Sequence, residues 1–222
     1  MVTAAARTDA EIKADVEAEL AFEPSVNPSE IAVTVKDGIV TLAGWVDSYM
    51  KVVQAEEAAH RVLGVWAVAN DLELRLPASG PTDADLASAA VHTLEWDADV
   101  NIDDLDVTVS NGWITLKGRV ERAYQRQDAE RLVRRLAGVR GVTNLLAVVP
   151  SPVPADVKAR IEDALVRAAS IDAGWITVEV DGSTVVLRGT VRTLSEKQDA
   201  ERTAWAAPGI TAVDNQLTVA PA

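Results

Sequence analysis

The sequence predicts an α+β protein of three tandem α-β-β-α-β domains. Each would be a small three-stranded sheet with two helices packed on one face. Three observations predict this: a segment that recurs three times, apolar alternation on both sides of a glycine turn, and apolar residues at helical spacing before and after it.

The recurring segment is Lys36-Asp37-Gly38-Ile39-Val40-Thr41-Leu42-Ala43-Gly44. It returns as Ser110-Asn111-Gly112-Trp113-Ile114-Thr115-Leu116-Lys117-Gly118, and again from Val180 to Gly189, where it reads as having one residue inserted. Downstream of each copy the same residues recur in register. These are Ala55-Glu56, Ala129-Glu130 and Ala200-Glu201; Gly64, Gly138 and Gly209; Asn70, Asn144 and Asn215; and Leu72, Leu146 and Leu217. Length alone would suggest one or two domains. The repeat makes three, at 8–77, 82–150 and 154–221. The linkers, Pro77-Ala78-Ser79-Gly80-Pro81 and Pro150-Ser151-Pro152-Val153-Pro154, are proline-rich and therefore semi-rigid.

Each element has its own signal. Thr8-Asp9-Ala10-Glu11 is a capping box, and Thr82-Asp83-Ala84-Asp85 repeats it. Ile12, Val16 and Leu20 then mark one apolar helix stripe. Leu86, Val91 and Leu94 mark the second, and Val157, Ile161 and Leu165 the third. Ile31, Val33 and Val35 alternate as a half-buried strand. Asp37-Gly38 and Asn111-Gly112 are hairpin turns, and Val40 and Leu42 continue on the second strand. A second helix is expected near 47–63, 121–137 and 193–207, with Leu132, Val133 and Leu136 inward in the middle copy and a glycine at its end. Val68, Leu72 and Leu74 carry a last strand, with copies ending in Val148 and Val219. The pattern leaves strand order open.

Composition narrows the function. The 222 residues carry 21 Lys+Arg against 34 Asp+Glu, a net charge of −13 that disfavours nucleic acid. There is no Cys, which excludes disulfides, thiol nucleophiles, Cys-ligated metals and a lipidated cysteine within this sequence. No nucleophile elbow, P-loop, dinucleotide fingerprint or metal cluster is present, so neither an enzyme nor a cofactor is expected. Arg7, Asp9 and Glu11 interrupt any apolar run near the start, and no stretch approaches a membrane span. The expectation is a cytoplasmic protein.

The repeat resembles the BON domain, named for bacterial osmotic-stress and nodulation proteins. The hairpin Asp37 to Gly44, the helical Ala55-Glu56, the Gly64-Val65 turn and the strand Val68-Ala69-Asn70-Asp71-Leu72 carry the resemblance, and the other two copies match at the positions above. The resemblance implies an α-β-β-α-β fold without enzymatic activity. It implies stress-related proteins that are often exported and associate with phospholipid surfaces. One cytoplasmic branch of the family joins a LysM domain and binds potassium, so a small-cation or solute site is the alternative function.

The candidate sites follow. Gly38, Gly44, Gly64, Gly112, Gly118, Gly138, Gly182, Gly189 and Gly209 read as turn and cap residues, and the repeated asparagines as local turn or strand-entry bonds. Residues 82–116 hold acids but no Lys or Arg, whereas 117–150 are rich in arginine. There Arg119, Arg122 and Arg126 would share a helix face, with Arg134 and Arg135 beyond. This surface suits an anionic membrane headgroup, an acidic protein partner or, against the overall charge, a nucleic-acid contact. Its competing reading is pairing with acids of the same or a neighbouring unit. The acidic stretch Asp97 to Asp104 resembles a calcium loop, but Ile102 and Thr108 stand where Gly and Glu are needed, so no metal site is expected. Trp113 reads as core or inter-domain packing, Trp66 and Trp205 as junction covers, and His60 and His92 as surface or edge residues.

Overall fold

The computed structural model describes residues 7–77, 79–97, 104–149, 152–168 and 173–220. The calcium-like stretch falls mostly on 98–103, outside the described residues. Unit one begins with α1 (Asp9–Phe22), whose capping box is complete. The Thr8 amide donates to Glu11 Oε2 at 2.8 Å, and the Glu11 amide donates to Thr8 Oγ1 at 3.3 Å. In α3 (Asp83–Glu95) Thr82 and Asp85 do the same. The stripe Ile12, Val16, Leu20 is buried, as is Val157, Ile161, Leu165 on α5 (Val157–Arg167). In α3 the stripe is Leu86, Ala90 and Leu94, because steps of four from Leu86 land on Ala90; the expected Val91 is exposed.

Strands β1 (Ile31–Lys36) and β2 (Ile39–Val46) form an antiparallel hairpin closed by Asp37-Gly38. Both turn residues have positive φ, 52° and 73°, as a type I′ turn requires. The turn is also tied to the helix start: Asp9 accepts from the Asp37 and Gly38 amides, both at 2.9 Å. Asp83 does likewise for Asn111 and Gly112, between β4 (Leu105–Ser110) and β5 (Trp113–Val120). In unit three no residue is inserted, contrary to the sequence expectation. Strands β7 (Ile176–Asp181) and β8 (Thr184–Val191) pair Asp181 with Thr184, leaving the same two-residue turn. The glycine has moved one place forward, so Gly182 (φ 56°) stands where Asp37 does and Ser183 keeps a negative φ. That is the type II′ arrangement.

From β2 the chain passes through α2 (Tyr49–His60) to β3 (Ala67–Leu74), which pairs parallel with β2. The sheet order is β1-β2-β3. Units two and three repeat it, through α4 (Ala123–Val133) to β6 (Gly141–Val148) and through α6 (Leu194–Trp205) to β9 (Ala212–Val219). A helical crossover is what a parallel neighbour needs. Each unit buries its own apolar cluster, with Val40 and Leu42, Ile114 and Leu116, or Val185 and Leu187 at its centre. The second glycine of each repeat sits where the hairpin strand crosses the segment entering its partner. A Cβ on Gly44 would stand 2.0 Å from the Glu30 carbonyl oxygen, and one on Gly118 or Gly189 would stand 1.9 Å from that of Asp104 or Trp175. Only glycine fits there.

Candidate interaction site where the three second helices meet

One clamp recurs in all three units and sets each second helix on its sheet. The Asn70 side-chain amide donates to the Val52 carbonyl at 3.4 Å and to Glu56 at 3.3 Å, while its oxygen accepts from the Leu72 amide at 3.3 Å. Asn144 makes the same bonds to Arg126, Glu130 and Leu146, and Asn215 to Lys197, Glu201 and Leu217. The local bond expected from the sequence is present. The bonds to the helix are additional, and they explain why the glutamate of each Ala-Glu pair recurs.

With the helices so placed, the start of each second helix faces the neighbouring unit. Tyr49, the first residue of α2, packs against the core of unit two. Leu194, the first residue of α6, packs against the core of unit one as well as its own. The far ends of the helices receive these contacts. Gln198 of α6 lies 3.0 Å from His60 Nδ1, Glu57 of α2 lies 3.8 Å from Arg134, and the Arg126 guanidinium of α4 lies 5.8 Å from the centre of the Trp205 ring. His60, Arg134 and Trp205 occupy equivalent places in the repeat. Unit one thus leads into two, two into three, and three into one. A single contact type that closes after three steps is a ring.

Burial has electrostatic consequences at these joints. It pushes the Tyr49 hydroxyl above its ordinary pKa, and the Glu130 carboxylate adds to this while Arg134 opposes it. It pulls His60 below its ordinary value, against the nearby Glu56 and Glu57 carboxylates. His60 is therefore a junction residue rather than a surface one; His92 is exposed, edge-on to Trp96.

The five candidate arginines divide. Arg119 and Arg122 do not share a helix face with Arg126, because β5 continues past Gly118 and pairs Arg119 with Ala147. Arg122 is the residue before α4, with its amide donating to Gln125 at 2.8 Å. Arg119, Arg122 and Arg135 are exposed. Arg126 and Arg134 turn into the joints, where they line a polar central hollow of about 590 Å³ with Glu57, Glu130, Glu201 and Trp205. Trp205 covers a junction as expected. Trp113 does not enter the core: it lies half-exposed on the open sheet face across Gly141, its indole donating to Thr143 at 2.8 Å. Trp66 lies over the Gly38 turn of its own unit rather than at a junction.

Sequence reasoning missed Tyr49, Glu57, Leu194 and Gln198. The repeated positions build the units; the joints are built by positions at which the three copies differ, such as Tyr49, Ala123 and Leu194. That difference was the available signal.

Three repeats of α-β-β-α-β with these turns and clamps define the protein class. The BON domain family model matches residues 8–75, 82–150 and 155–221, and the chain belongs to that family. It is similar to osmotically-inducible protein Y of Escherichia coli K12, with 29% identity over 142 residues, 61% of this chain and 70% of that protein. Among solved structures it is similar to the C-terminal domain of CdsD, the structural protein of the type III secretion system of Chlamydia trachomatis. Identity there is 14%, coverage is 97% of this chain and 100% of that one, and the TM-score is 0.27. A second CdsD structure gives 15% identity, 96% and 93% coverage and a TM-score of 0.28.

Proposed function

We propose that this protein is a non-catalytic binding module of the BON type, stress-related like its osmotically-inducible relative, that seats on a phospholipid surface. The observation that supports this is a set of apolar tips at the same end of every unit. Phe22 ends α1 and is 83% exposed, and Trp96, its equivalent after α3, is 79% exposed. Unit three carries Val166 in the last turn of α5 and Trp175 just before β7, also exposed. In a ring whose units are related by rotation, equivalent ends stand at one level about the axis, and this is the arrangement in which the tips meet a membrane together. Aromatic residues suit the membrane–water boundary, and three weak contacts on one rigid body reinforce one another. In unit two Arg119 and Arg122 stand at the Trp96 end, since β5 runs back toward the start of β4, and they are placed to meet headgroup phosphates. Among the described residues no helix is long and apolar enough to cross a membrane, so the contact proposed is peripheral.

Flotation with vesicles tests the proposal. The protein rises with phosphatidylcholine vesicles at low salt, and its tryptophan emission shifts to shorter wavelength. The double variant F22S/W96S loses most of the co-flotation. Failure of the protein to rise with either phosphatidylcholine or phosphatidylglycerol vesicles at low salt overturns the lipid reading and leaves an acidic protein as the partner to seek. A cytoplasmic location is part of the same proposal, and cell fractionation checks it.

A further inference from the structure

The three joints of the ring are not equally filled. At the joint of units one and two the plug is the Tyr49 ring, and at the joint of units three and one it is the Leu194 side chain. The equivalent residue at the joint of units two and three is Ala123. Ala123 is buried but belongs to none of the three apolar cores. Beside it lies a hollow of about 460 Å³ between the start of α4 and the end of α6. Its walls include Val148, Ala207 and Ile210, two aromatic residues, Tyr124 and Trp205, and the exposed Arg122. Trp205 is only partly buried there.

We infer that this third joint is a binding site for a small aromatic molecule with a polar substituent, which takes the place that Tyr49 takes in its sister joint. The two filled joints state what the space accepts: an apolar group the size of one side chain. Tyr124 and Trp205 offer aromatic faces on which a ring can stack. Arg122 offers a donor for a hydroxyl or carboxylate. The volume falls in the range of small-ligand pockets, and Glu121 beside Arg122 in the wall favours a hydroxyl over a carboxylate as the polar substituent. Filling the site completes the third joint of the ring. The inference stands on the comparison of the three joints and does not depend on the membrane reading.

The probe is 4-methylphenol, the side chain of Tyr49 as a free molecule. Titration into the full chain, followed by calorimetry and by the NMR signal of the Trp205 indole, gives one saturable site with a Kd in about the millimolar range, as expected for so few heavy atoms. The variant A123Y supplies the plug covalently and abolishes binding. Should A123Y fail to fold, A123L, with the group found at the sister joint, serves the same purpose. The variant Y49A empties the first joint and binds a second equivalent, with a larger rise in melting temperature on adding the probe than the wild type shows. No saturable binding by the wild type at millimolar probe, or equal binding by A123Y or A123L, overturns the inference.

Discussion

At the scale of single residues, the asparagine clamp and the second glycine of each repeat carry the most structural weight. Asn144 satisfies a helix carbonyl at 2.7 Å and a strand amide at 3.2 Å at once, so no aliphatic residue can replace it. Truncation leaves partly buried polar groups without partners, at about 1–3 kcal/mol. Urea unfolding of N144A should show a loss of that size at unchanged m-value, and N144D should do no better, because its carboxylate would face Glu130 and the Arg126 carbonyl. Glycine positions divide by what surrounds them. Gly118→Ala must push a methyl into the Asp104 carbonyl at 1.9 Å, which the backbone cannot yield cheaply. A destabilisation of at least about 2 kcal/mol is expected. By contrast Gly182 has open space around its missing Cβ and a φ of 56°. Asp37 and Asn111 reach a similar φ only in type I′ turns, whereas the first central position of a type II′ turn also needs a ψ that glycine alone adopts cheaply. The variant G182N should therefore cost about 1 kcal/mol or more in the same urea assay through backbone strain, but less than G118A, because nothing crowds the added side chain.

Between elements, the contact of α2 with α6 depends on a neutral imidazole. His60 is buried, 3.0 Å from Gln198, with Glu56 and Glu57 on its own helix. Its folded pKa lies below the ordinary 6.5, chiefly through burial. The unfolded chain therefore takes up the proton first. Stability from this group is full above about pH 6.5 and declines as pH falls below that value toward the folded pKa. Thermal melts from pH 7.5 to 5 should show a decline that H60Q lacks; parallel profiles for the two proteins would reject the assignment. The same joint shows what the sequence could disclose. Helix stripes and hairpins were legible because periodicity is local: Ile12 to Leu20 and Ile31 to Val35 each announce themselves within a few residues. Sheet order was not, because β2 meets β3 only through the intervening α2. Read as a turn residue, Gly118 puts Arg119 beyond the strand, whereas it is an in-strand glycine where two backbones cross. His60 looked isolated because Gln198 lies 138 positions away in the chain. The repeats made the units readable, and by the same token hid the joints, which use residues that the copies do not share.

For the whole molecule the decisive property is closure. Two chain linkers join three units, yet three joints form, and the third brings Leu194 and Gln198 of unit three against unit one. Closure confers no new covalent constraint; it rests on small interfaces, so the ring and a chain of separate units differ by only a few side-chain contacts. Solution scattering distinguishes the two. A folded unit of about 70 residues has a radius of gyration of roughly 11 Å. Three such bodies touching at the corners of a triangle give roughly 20 Å, and the same three in a row give roughly 25 Å. The wild-type chain should therefore scatter as the smaller particle. The variant L194A/Q198A removes contacts at one joint while leaving the asparagine clamp of unit three in place. Its radius of gyration should move toward the larger value with little change in helix content. If the wild type already measures near 25 Å, the ring is not the solution form, and the proposed joint contact of Phe22, Trp96 and Trp175 with a membrane falls with it. If both proteins measure near 20 Å, closure does not depend on the α2–α6 contact, and the other two joints suffice to hold the triangle.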